Sequence, residues 1–203
     1  MAAPVDLLVL SVPGLSARML REHESRLPHL RNIAEQSVAT VVVLDEASTS
    51  QLEAALITGM LPEFLGAHGG GVGEARGRPF WQKAGADAQV QMQHPLPPDW
   101  RAFAKSPRLD WRTLPLLLEA ADPTAALTEL DAVVGDVPAE RPLVVLSAWA
   151  LADGVAASQK AAPLDRPVLL VRGFEQPKEC VGILEIAGML ERALTGERLT
   201  DAI

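Results

Sequence analysis

The run DEASTSQLEAALITGMLP (45–62) sets three hydroxyls, Ser48, Thr49 and Ser50, where an apolar strand hands over to a helical pattern. A hydroxyl at a helix N-terminus has two uses. It can cap the helix, and both Ser48-x-x-Gln51 and Ser50-x-x-Glu53 fit a capping box. It can also attack phosphorus beside the free N–H groups of the first turn, which stabilise an anion. Acyl chemistry has its own candidates. His68-Gly69-Gly70-Gly71 matches the HGGG oxyanion element of some lipases and esterases, and Gly14-Leu15-Ser16-Ala17-Arg18 is one residue short of G-x-S-x-G. In that fold the oxyanion loop precedes the nucleophile, whereas His68 follows Ser16. None of the four histidines, His23, His29, His68 and His94, lies near the C-terminus to complete a triad. The glycine run is no nucleotide loop: Arg76 stands where G-x-G-x-x-G needs its third glycine, and no G-K-[ST] follows.

Metal chemistry needs clustered imidazole, thiolate or carboxylate. No H-x-x-x-H or C-x-x-C occurs, and Glu22-His23-Glu24 reads as the solvated end of a helix. Of the four tryptophans, Trp81, Trp100, Trp111 and Trp149, two flank a proline-rich stretch. If Trp100 and Trp111 were exposed they would mark a contact surface; the simpler expectation is that they anchor a loop to the body.

These residues need a scaffold, and the chain predicts one. Apolar runs at 5–11, 38–44, 88–93, 143–147 and 167–172 read as buried strands. Helical patterns lie between them at 27–37, 50–59, 78–85, 113–135 and 180–196, the fourth broken near Asp122-Pro123. Strand alternating with helix predicts a single α/β domain over 1–203, its mostly parallel sheet sandwiched by helices. At 203 residues and 48% hydrophobic, the chain can bury a sizeable core. A net charge of −8 opposes nucleic-acid binding through a broad basic surface. No basic leader opens the sequence and no apolar run is long enough to span a bilayer. One cysteine, Cys180, forms no internal disulfide. Together these features predict a cytoplasmic protein with no membrane contact. The absence of tyrosine carries no functional reading.

In such a sheet, ligands sit beyond the carboxyl ends of the strands. The fourth run reaches that place as LVVLSAWALADG (143–154) and presents Ala148, Trp149 and Ala150, none of which can serve as nucleophile, general base or metal ligand.

In order and spacing, the pieces resemble the alkaline phosphatase superfamily, in its type I phosphodiesterase/nucleotide pyrophosphatase branch. VDLLVLSVPGL (5–15) is similar to that family's opening strand and V-D-G. LPHLRNIAEQS (27–37) resembles "P-x-L-x-x-L-A-x-x-G", and ASTSQLEAALITGMLPEFLG (47–66) resembles the nucleophile helix ending in "T-G-x-x-P-x-x-H-G". FWQKAGADAQVQMQHPL (80–96), ELDAVVGDV (129–137), LVVLSAWA (143–150) and RPVLLVRGFEQ (166–176) follow, similar to later family segments, with LVVLSAWA in the place of "l-v-v-x-S-D-H-G". Each motif is degenerate, though the likeness spans nearly the whole chain.

The resemblance implies an alkaline-phosphatase-like core with Thr49 at the nucleophile position. It also implies two metal ions, commonly zinc, held by Asp and His at strand ends. This chain departs there: Pro13 stands for the Asp of V-D-G, Ala148 and Trp149 for the Asp and His of D-H-G, and Leu65 for the His of P-x-x-H-G. The D-x-x-x-H element and the late His are missing. Such ions act as Lewis acids worth several kcal/mol in the transition state. The resemblance therefore implies a non-catalytic relative without metal or other cofactor, serving as a binding or regulatory module. Thr49 remains as a helix cap, and a degenerate pocket lies over Pro13, Thr49 and Trp149. Its expected partner is a small anion or a protein, with room for a homo-oligomer. The competing expectation is an active hydrolase, either a phosphoesterase with a rebuilt site or an esterase using Ser16 and the His68 loop.

Overall fold

The computed structural model of the chain describes residues 6–44, 47–65, 78–86, 88–91, 109–152, 155–156, 165–173 and 179–195. Strand β1 (Leu7–Ser11) lies inside its sheet, and every one of its residues is buried. Parallel neighbours flank it, β4 (Leu109–Thr113) on one side and β5 (Leu143–Leu146) on the other. Beyond β4 lies β3 (Ala88–Gln91), also parallel. Beyond β5 come β8 (Val168–Arg172), β2 (Val38–Val42) and the short β9 (Cys180–Gly182), giving the order β3-β4-β1-β5-β8-β2-β9. Only β8 runs against the rest, antiparallel to both β5 and β2. A parallel return from β5 would need a crossover, usually a helix. The described residues between β5 and β8 hold instead a small hairpin, β6 (Leu151–Ala152) with β7 (Val155–Ala156).

Alternation along the strands sorts the core into two layers. Leu7 and Val9 belong to the cluster packed under α3 (Thr49–Thr58), which the single turn α4 (Pro62–Leu65) follows, α5 (Phe80–Lys83) and α8 (Ile183–Thr195). Leu8 and Leu10 belong to the opposite cluster, under α2 (Pro28–Gln36), α6 (Leu116–Glu119) and α7 (Pro123–Gly135), with α1 (Ala17–Glu22) beside it. In α8, Ile183, Ile186, Ala187, Leu190 and Leu194 recur at three- and four-residue steps and form one buried stripe.

The expected helices at 27–37, 50–59 and 78–85 are present, the last as the single turn α5. The break at Asp122-Pro123 is real: Asp122 caps α7, accepting from Thr124 N at 2.9 Å, with Pro123 at the first helical position. Helix α2 has no side-chain cap of its own; Asp131 of α7 reaches across and accepts Leu30 N–H at 2.8 Å. Helix α3 ends at Gly59, left-handed at φ 68, where a Cβ would sit 3.1 Å from Ala187 Cβ and 3.2 Å from Leu184 O.

Three expectations change. The helical run expected from Cys180 begins at Ile183, because Cys180–Gly182 pairs with β2 as an edge strand. Expected to run on from residue 113, the helix starts only at Leu116, since Thr113 closes β4. Trp111 is not a loop anchor: it lies inside β4, fully buried, with ring centroids 6.0 Å from Phe80 and 6.1 Å from Trp81. Trp100 lies outside the described residues.

Candidate functional site

The carboxyl ends of β1, β5 and β2 share one edge of the sheet, and all three expected site positions lie along it. From β1 the chain passes through Val12 and Pro13 to Gly14, whose φ of 90 only glycine adopts freely. From β5 it passes through Ser147, Ala148 and Trp149. The two exits remain laced together. Val12 N–H donates to Leu146 O at 2.8 Å, Gly14 N–H donates to Trp149 O at 3.1 Å, and Gly14 bridges Ala150 in parallel register. Ser147 Oγ also donates to Trp149 O, while Ser147 N–H donates to Val168 O at 3.0 Å. On the other flank, Leu114 N–H donates to Ser11 O at 2.7 Å. Pairing thus continues past the strand ends, where an open α/β sheet would part to admit a ligand. Pro13, Ala148 and Ala150 are buried, and Trp149 is 8% exposed.

Thr49 is exposed at this edge, as the first residue of α3. It is not the cap; Ser48 is. Gln51 N–H donates to Ser48 Oγ at 3.3 Å and Ser48 N–H donates to Gln51 Oε1 at 2.8 Å, closing the box the sequence offered at 48–51. The Ser48 and Ser50 hydroxyls lie 3.1 Å apart. One helical turn beyond Thr49 stands Glu53, which the sequence offers only as a capping partner of Ser50. Burial pushes its carboxyl above the ordinary value of 4.5, and the neighbouring Trp149 side chain offsets part of that rise. The Trp149 indole N–H is buried and has no partner in good hydrogen-bond geometry among the described residues, so the compensation is incomplete. The spacing of four from Thr49, which puts both residues on one face of α3, was the available signal.

The folded chain holds the Glu53 proton more tightly than the unfolded chain does. Stability therefore falls as pH climbs from 4.5 through the raised folded value. Glu53→Gln removes that slope. Thermal melts should show the variant level with its parent near about pH 4 and above it at about pH 8; a variant that melts lower at the higher pH would contradict this.

Ser16, the esterase candidate, is 1% exposed and caps α1, its oxygen accepting from Met19 N–H at 3.2 Å. The His68 loop and His94 lie outside the described residues. Glu22-His23-Glu24 falls where α1 ends and a 3₁₀ turn (Glu24–Arg26) begins, with both carboxylates exposed.

A pair of divalent cations does not fit the described residues of this edge. Methyl, indole and pyrrolidine groups at Ala148, Trp149 and Pro13 offer no lone pair suited to a cation. Glu53 is a single carboxylate that burial already disfavours as an anion. No group of three or more His, Cys, Asp or Glu gathers anywhere among the described residues.

A groove of about 410 Å³ opens elsewhere, between α1, α2 and β2, and neither Pro13, Thr49 nor Trp149 lines it. No helix among the described residues is long and apolar enough to cross a membrane. Comparison with protein-family models and with the curated proteins finds no match for this chain.

Proposed function

We propose that this protein is a metal-free, non-catalytic relative of the phosphodiesterases and phosphatases of the alkaline phosphatase superfamily, serving as a binding or regulatory module. One observation supports this above the others. Where the resemblance calls for metal-holding carboxylates and imidazoles, Pro13, Ala148 and Trp149 stand buried in an edge laced shut by backbone hydrogen bonds. Nothing identifiable there lowers the pKa of the Thr49 hydroxyl or neutralises a phosphoryl group. What remains is the start of α3, where the first-turn N–H groups hold a small anion weakly beside the exposed Thr49. The same reading places the protein in a reducing cytoplasm, with a lone thiol at Cys180 and a protein partner or a second copy as its other ligand.

Hydrolysis of nitrophenyl phosphate mono- and diesters, with and without added zinc, tests the reading. The expected outcome is no turnover above the buffer rate in either the parent or Thr49→Ala. Turnover that Thr49→Ala abolishes would establish a working nucleophile and overturn the proposal.

A further inference from the structure

We draw no further inference here: the strongest candidate, the apolar groove between α1, α2 and β2 with Leu20, Leu27, Leu30 and Val38 in its lining, is rimmed by Arg21 and Arg31 against Glu24 and Glu35 and so favours neither sign of charge, and nothing in the structure shows what covers it.

Discussion

Asp110→Ala should cost about 3–5 kcal/mol of folding free energy, measured as a fall in the urea midpoint at unchanged slope. Asp110 and Arg112 alternate on one face of β4, with relative exposures of 0% and 1%. Arg112 grips the carboxylate with two donors, Nε to Oδ1 at 3.1 Å and Nη2 to Oδ2 at 3.0 Å. Arg141 adds a longer contact to Oδ2 at 3.8 Å and ties the group to Asp6 at 3.3 Å, near the surface. A guanidinium so deeply buried has left its water behind, and deleting the carboxylate removes two of the hydrogen bonds that replaced that water. The pair itself need not be a net gain, because desolvating two ions costs about what their attraction returns. Replacing both at once, Asp110→Leu with Arg112→Met, should therefore cost much less than the single change. Were the double variant as unstable as the single one, the loss would lie in packing rather than in an orphaned charge.

Trp149→Ala should cost a similar amount, about 3–5 kcal/mol, or roughly 6–20 °C of melting temperature for a domain of this size. Trp149 belongs to the same apolar cluster as Leu52 and Leu56 of α3, so its ring links the β5 exit to the helix that carries Thr49. Removing it leaves a cavity under that helix start, and Trp149→Phe should restore most of the loss. This is the behaviour of a plug. If Trp149→Ala kept its melting temperature, the ring would be a ligand-contacting surface, and the closed edge described above would be wrong.

Much of the scaffold was readable because strands covered on both faces are written in continuous Val and Leu, as in LLVLS and LVVL. What escaped had identifiable causes. Strand β4 reads Leu-Asp-Trp-Arg-Thr, an alternation that normally marks a half-exposed strand or loop. Its polar face is buried because the charges neutralise each other, a fact of pairing that sequence spacing alone did not announce. Strand β9 is three residues long and runs directly into α8, whose longer period absorbed it. The reversed direction of β8 depends on what connects it to β5. The Asp153-Gly154 dipeptide, a strong hairpin signal between Leu151–Ala152 and Val155–Ala156, was the clue to that connection. At the candidate site, the residue types at 13, 148 and 149 were plain from the sequence. Their burial and the continued lacing between the strand exits were not, since both depend on hydrogen bonds between segments more than a hundred residues apart.

Zinc binding by the intact chain decides whether this edge holds metal: strip the protein with chelator, re-expose it to zinc, desalt it, and count retained metal by inductively coupled plasma mass spectrometry. Substoichiometric zinc is expected, unchanged in Thr49→Ala. Two tightly retained zinc ions per chain would contradict the metal-free reading.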